Sequence, residues 1–248
     1  MKIVFSLLMG ALAFSCQAEE LTIYDAERDR TIPVAIEYPT SGSQCVPEAQ
    51  CRVAFISAGY RVPFQQYSFL TERLNALGYL TVAVDHELPS DPPLSRTGDL
   101  YTTRIENWQR GAKTLALLQQ RLSEQYPGYD FDSLVLVGHS NGGDISSWLA
   151  NEKPGYVSKV ITLDHRRVTL PKDRDIRVLS VRATEYPTEA SVLMTADEQL
   201  EYNSCVAELP DSMHMDPSDY GRPEMKQRVA EMIIQFLSGV SCDRIRQI

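Results

Sequence analysis

The chain has no excess of basic residues, no Cys-x-x-Cys pair, no Gly-x-Gly-x-x-Gly after an early strand and no phosphate-binding loop. Each absence closes a class of function. With 24 Lys+Arg against 33 Asp+Glu, a formal charge of −9 and no basic stripe, nucleic acid is not an expected partner, and no polybasic membrane patch is present. Without a glycine-rich phosphate cradle no nucleotide cofactor is expected, and without paired cysteines no zinc. Asp85-His86-Glu87 has metal-ligand chemistry, but neighbours on an extended segment point to opposite faces, so no metal site is expected there either. No linker, internal repeat or low-complexity tract divides the 248 residues. That length suits one large domain.

Long hydrophobic runs are also missing, apart from Ile3 to Phe14 after Lys2. That run has the length of a signal-peptide core and is too short to span a bilayer as a helix. Residues 1–18 are therefore expected to be removed, with cleavage before Glu19, leaving an exported domain over 19–248, periplasmic or secreted, with no membrane span. The rival reading makes Cys16 a lipid-anchored N-terminus. The mature chain keeps Cys45, Cys51, Cys205 and Cys242, an even count that suits an oxidising compartment. Of three possible pairings the local one, Cys45 with Cys51 and Cys205 with Cys242, is simplest.

The most informative segment is Leu134-Val135-Leu136-Val137-Gly138-His139-Ser140-Asn141-Gly142-Gly143. Four consecutive Val and Leu residues suit a strand buried on both faces, and Ile145, Trp148 and Leu149 recur at helical spacing beyond it. A serine in so tight a strand-to-helix turn needs neighbours without a Cβ two positions before and after, which Gly138 and Gly142 supply. Chance alone yields a Gly-x-Ser-x-Gly match in roughly one chain of this length in ten. Context turns the match into the nucleophile elbow of a serine hydrolase.

Around it, strands are expected at Leu21 to Tyr24, Thr31 to Tyr38, Arg52 to Ser57, Leu80 to Asp85, Val160 to Leu163, Arg177 to Val181 and Cys205 to Glu208. Helices are expected at Tyr67 to Leu77, Tyr101 to Leu122 and Pro223 to Leu237. This alternation predicts an α/β fold: a mostly parallel sheet with helices on both faces and its ligand beyond the carboxyl ends of the strands. The dozen residues from Asp164 to Asp175 leave no room for a large lid, so an open site is expected.

A nucleophilic serine needs a base, and the chain has four histidines. His139 sits inside the elbow and cannot fold back onto Ser140, and His86 and His165 follow other strands. His214, between the last strand and the last helix, can reach over the elbow. The chain order Ser, acid, His places the carboxylate at Glu185, after the penultimate strand. Asp164 is the alternative acid, although Arg166 and Arg167 offer it a plain ion pair; Glu189 and Asp216 are more remote candidates. Oxyanion donors are expected at the amides of Asn141, just after the nucleophile, and Tyr60, in Ser57-Ala58-Gly59-Tyr60. Tyr101, Arg104 and Trp108 share a helical face and read as packing and ion pairing.

Over about 21–240 the chain resembles the alpha/beta-hydrolase superfamily, through Gly138-His139-Ser140-Asn141-Gly142, the Ser57-Ala58-Gly59-Tyr60 segment and the late His214. Gly138 to Asp144, Asp164 to Arg167 and Arg182 to Pro187 are also similar to a little-characterised group of exported bacterial members, in which aspartate usually fills the slot of Glu185. Ala58-Gly59 stands where the superfamily usually has His-Gly. The resemblance implies cleavage of a carboxylic ester or similar small acyl substrate through an acyl-enzyme, with no metal or organic cofactor. A peptidase or amidase with the same triad, or an inactive binding protein on the same fold, is the alternative.

Overall fold

Strand after strand in this chain is a short run of Val, Ile, Leu and Ala, and these runs assemble into one eight-stranded sheet. A computed structural model describes residues 18–40 and 44–248; the expected leader, with Cys16, lies outside the described residues except for Ala18. The strands are β1 (Glu19–Asp25), β2 (Arg30–Glu37), β3 (Cys51–Ser57), β4 (Tyr79–Val84), β5 (Tyr129–His139), β6 (Val157–Leu163), β7 (Arg177–Ala183) and β8 (Cys205–Leu209). Their spatial order is β1-β2-β4-β3-β5-β6-β7-β8. β1 with β2 and β2 with β4 are antiparallel. Every later pairing is parallel.

Helices α1 (Ser68–Ala76), α2 (Leu100–Gln125), α3 (Asn141–Asn151), α4 (Ala196–Glu201), α5 (Pro223–Leu237) and α6 (Cys242–Ile245) fill the connections. Trp108, Leu115 and Leu122 of α2 and Ile145 and Leu149 of α3 bury one face of the sheet with Phe55, Val82 and Leu136. Leu70 and Leu74 of α1 and Val229, Ile233 and Phe236 of α5 cover the other with Ile56, Val137 and Leu179. Strands covered on both sides leave no room for alternating polarity, which is why their sequences are almost continuously apolar. The short α4 and α6 escape a periodicity reading: α4 buries none of its residues and α6 is a single turn.

Two disulfides join Cys45 to Cys51 and Cys205 to Cys242, with Cα separations of 5.2 and 5.3 Å. The second ties β8 to α6. The connection from β6 to β7 contains neither helix nor strand. Among the described residues no helix is long and apolar enough to cross a membrane.

Candidate active site

β5 ends at His139, and Ser140 turns the chain into α3 with φ 52° and ψ −118°. Serine adopts this left-handed backbone only under constraint, and the constraint is visible on both sides. A Cβ on Gly138 would lie 2.2 Å from the Gly142 carbonyl oxygen, and one on Gly142 would lie 2.1 Å from that of Ser57. Both glycines are thus required by the packing of the turn.

The imidazole of His214, on the loop from β8 to α5, has Nε2 2.9 Å from Ser140 Oγ. Its Nδ1 lies 2.5 Å from Asp164 Oδ2. With the ring proton on Nδ1, donated to Asp164, Nε2 is left to accept the serine proton. Asp164 immediately follows β6, has φ 50° and is fully buried. Its Oδ1 faces Arg182 at 3.0 Å and accepts from the Ala183 amide at 3.2 Å, and Oδ2 also accepts from Arg166 Nη2 at 2.9 Å. Burial by itself would raise this carboxyl. The bond from His214 and the charges of Arg182 and Arg166 outweigh it and hold the group below the usual aspartate value.

The carboxylate on the imidazole is therefore Asp164, and the expectation that Glu185 would orient the ring is corrected. Glu185 accepts instead from the backbone amide of His214, at 2.7 Å, on the exposed side of the loop. Strand order explains the exchange. β6 lies beside β5, whereas β7 is one strand further out. At roughly 4.8 Å per strand, the end of β6 is the nearer platform for a short side chain meeting a ring that hangs over the elbow. Glu189 bonds to neither ring nitrogen, and Asp216 caps its own loop by accepting from Met213 N and pairing with Arg222.

The other three histidines are buried. His139 accepts from the Tyr67 hydroxyl at Nδ1, 2.8 Å, and donates through Nε2 to the carbonyl of His214, 2.7 Å. Tyr67 Oη in turn accepts from the Gly59 amide at 2.9 Å. One uncharged hydrogen-bonded run thus fastens the Gly59 turn, the elbow and the His214 loop together. Burial first, then the neighbouring His214, pushes His139 down to about 3, so it stays neutral. His86 bonds to Ser57 Oγ at 2.9 Å, and His165 bonds to the Val168 carbonyl at 3.0 Å. The positioning pair Tyr67 and His139 gave no motif; a histidine beside the nucleophile was their only trace in the sequence.

Two backbone amides belong to turns that adjoin Ser140. Asn141 is the first residue of α3, where helix geometry leaves N–H groups free. Its side chain is occupied elsewhere, accepting from Trp108 Nε1 at 3.0 Å and donating to Asn107 Oδ1 at 2.8 Å. Gly59 to Val62 form a turn closed by Val62 N to Gly59 O at 3.0 Å, with Arg61 at φ 60°. The Tyr60 amide has no hydrogen-bond partner among the described residues. A cleft of about 230 Å3 opens here, lined by Ser140, His214, Tyr60, Met215 and three arginines, Arg104, Arg166 and Arg167. Among the described residues no cluster of three or more His, Cys, Asp or Glu is placed to hold a metal ion. A hydroxyl, imidazole and carboxylate in this chain of contacts can pass a proton from serine to ring and onward to a leaving group.

No family model and no curated protein matches the sequence. Solved structures do match its fold. A ferulic acid esterase from Streptomyces cinnamoneus is 17% identical with a TM-score of 0.60, covering 92% of this chain and 89% of its own. A thermostable carboxyl esterase from Bacillus coagulans is 12% identical with a TM-score of 0.63, covering 90% and 99%. Thermogutta terrifontis esterase 2, phosphoramylated by tabun, is 13% identical with a TM-score of 0.61, covering 90% and 94%. With the mostly parallel sheet, its flanking helices and the elbow, they define the fold of this chain as that of the alpha/beta hydrolases.

Proposed function

We propose that this protein is an exported serine hydrolase that cleaves a small carboxylic ester through an acyl-enzyme. The observation that carries the reading is the continuous run from Ser140 Oγ through His214 to Asp164, standing over a strained elbow. Ser140 Oγ adds to the ester carbonyl carbon while its proton passes to His214 Nε2. The negative oxygen so formed is met by the Tyr60 and Asn141 amides, each worth about 10² to 10³ in rate. The bond to the alcohol then breaks, His214 returns the proton to the departing oxygen, and water repeats the sequence to free the acid. Asp164 fixes the imidazole tautomer and balances the imidazolium.

The esterases among proteins of the same fold support this reading, and the two disulfides support export to an oxidising compartment. Residues 1–18 act as the leader and 19–248 as a single domain, so exported protein is expected to begin at Glu19. A lipid-modified Cys16 at the N-terminus would overturn that cleavage site. The hydrolase reading is tested with a fluorophosphonate probe: wild-type protein is expected to be labelled and Ser140→Ala not. Equal labelling of both, or of neither, sinks it.

A further inference from the structure

The cleft at Ser140 is charged against the grain of the chain. The protein is acidic, yet three arginines line this cleft and, among the described residues, no carboxylate shares its wall. Arg166 and Arg167 continue into an adjoining cleft of about 410 Å3, beside Tyr101 and Pro187, where Asp99 and Glu189 also lie. The Asp99 carboxylate is already engaged by the Tyr101 and Thr102 amides and the Thr102 hydroxyl.

None of the three guanidinium groups is fully used. Arg104 donates from Nε and Nη2 to the Ser95 carbonyl, at 2.9 and 2.6 Å, which holds the side chain still while Nη1 has no partner among the described residues. Arg166 reaches Asp164 through Nη2 and lies over the Tyr186 ring at 4.6 Å, while its buried Nε has no partner among the described residues. The Arg167 guanidinium forms no ion pair or hydrogen bond among the described residues, although its backbone is pinned. Asp144, from the nucleophile helix, accepts from the Arg167 and Val168 amides at 2.8 and 2.9 Å. The loop carrying Arg166 and Arg167 is therefore rigidly attached to the elbow.

Arg104, Arg166 and Arg167 line one cleft, where like charges repel unless something negative joins them. Burial, followed by the charge of Arg167, depresses the Arg104 guanidinium, against a partial offset from Asp144 and Glu87. A transient oxyanion has two backbone amides to meet it and is absent while substrate waits. The buried carboxylate of Asp144 offsets part of this repulsion, and an anion present from the moment of binding offsets more of it throughout. There is a second consequence. Arg166 Nη2 lies 3.2 Å from His214 Nδ1 as well as 2.9 Å from Asp164 Oδ2, so whatever part of its charge Asp164 leaves unbalanced opposes the imidazolium that forms when Ser140 gives up its proton. An anion seated beside Arg166 weakens that opposition at the step where it matters.

We infer that the substrate is an ester that itself carries a carboxylate, seated by Arg104 and Arg167 with Arg166 at its inner edge. This rests on the serine hydrolase reading. Arg104 and Arg167 are binding groups here; bidentate guanidinium–carboxylate contact suits them and fixes which way the ester lies.

The test compares kcat/KM within two matched pairs. Monomethyl adipate against methyl hexanoate places the charge on the acyl side, and 4-acetoxybenzoate against its methyl ester places it on the alcohol side. In at least one pair the anionic member is expected to be favoured about tenfold or more, with the advantage shrinking at high salt. The favoured pair assigns the side. Arg167→Gln and Arg104→Gln are each expected to lower the anionic-to-neutral ratio about tenfold, with partial recovery in the corresponding lysine variants. No anionic preference in either pair overturns the inference, as do variants that slow both members equally. Probe labelling of Ser140 keeps the two readings apart. A labelled protein that ignores the carboxylate loses this inference alone, and an unlabelled one loses the hydrolase reading with it.

Discussion

The loops that follow β6 and β7 each bring an acidic residue to His214, and they bring it to different atoms. Asp164 emerges from β6 in a left-handed backbone, fully buried, with Arg182 and Arg166 on its oxygens and the imidazole Nδ1 at 2.5 Å. Glu185 stands two residues beyond β7, exposed, and accepts from the backbone amide of the same histidine. One contact governs the ring's proton and charge. The other governs where the loop sits. A carboxylate near a catalytic histidine is thus no evidence of its role until the atom it touches is known.

The two roles separate most clearly when the two charges are removed one at a time. Asp164→Asn is expected to lower kcat/KM for a simple ester by about 10³ to 10⁴, because the amide presents a donor to Nδ1 and favours the wrong tautomer. Glu185→Gln keeps an acceptor for the His214 amide and is expected to cost less than about tenfold. Steady-state kinetics on both variants decides it, and a reversed order would return the acid role to Glu185. The Cys205–Cys242 bridge supports the His214 loop from behind, because it anchors β8, the strand that launches it. Replacing both cysteines by alanine is expected to lower unfolding stability by about 4 kcal/mol, against about 2 kcal/mol for the shorter Cys45–Cys51 loop, measured by denaturant titration. Tyr67→Phe removes the hydroxyl that joins Gly59 to His139 and is expected to slow turnover by a few-fold to tenfold while leaving KM nearly unchanged. An unaltered kcat would show that the His214 loop does not depend on this run.

The smallest effect is on pH dependence. Burial, and then Arg110, Arg30 and Arg28, push His86 down to about 3 in the fold, against about 6.5 in the unfolded chain. Below pH 6.5 the unfolded state binds a proton that the folded state refuses, so stability falls as pH drops toward 3. His86→Asn loses the bond to Ser57 but also this penalty. Its deficit against wild type is expected to narrow by up to about 1.4 kcal/mol per pH unit below 6.5. A deficit constant with pH, in thermal melts from neutral to mildly acidic buffer, refutes it.

Much of the molecule was legible in the sequence, for reasons that also explain what was not. Buried parallel strands must be apolar throughout, so β3, β4, β5 and β6 announced themselves, and the elbow glycines are dictated by contacts within one turn. The triad acid depends on which strand lies beside β5 and on the length of a side chain, and neither is written locally. The helix face of Tyr101, Arg104 and Trp108 divides along its length in a way periodicity does not register. Trp108 is buried against the sheet with its Nε1 on Asn141, while Arg104, in the first turns of α2, stands at the carboxyl edge and lines the cleft. Arg166 and Arg167 looked like partners for Asp164, yet Arg166 shares that carboxylate with Arg182 and Arg167 faces the cleft.

The most direct test of the account is the rate of covalent labelling by a fluorophosphonate, read by mass spectrometry of the peptide that contains Ser140, in wild type, Asp164→Asn and Glu185→Gln. The account predicts an adduct on Ser140 that forms quickly in wild type and Glu185→Gln and far more slowly in Asp164→Asn. An adduct on another residue, or equal rates in wild type and Asp164→Asn, would contradict it.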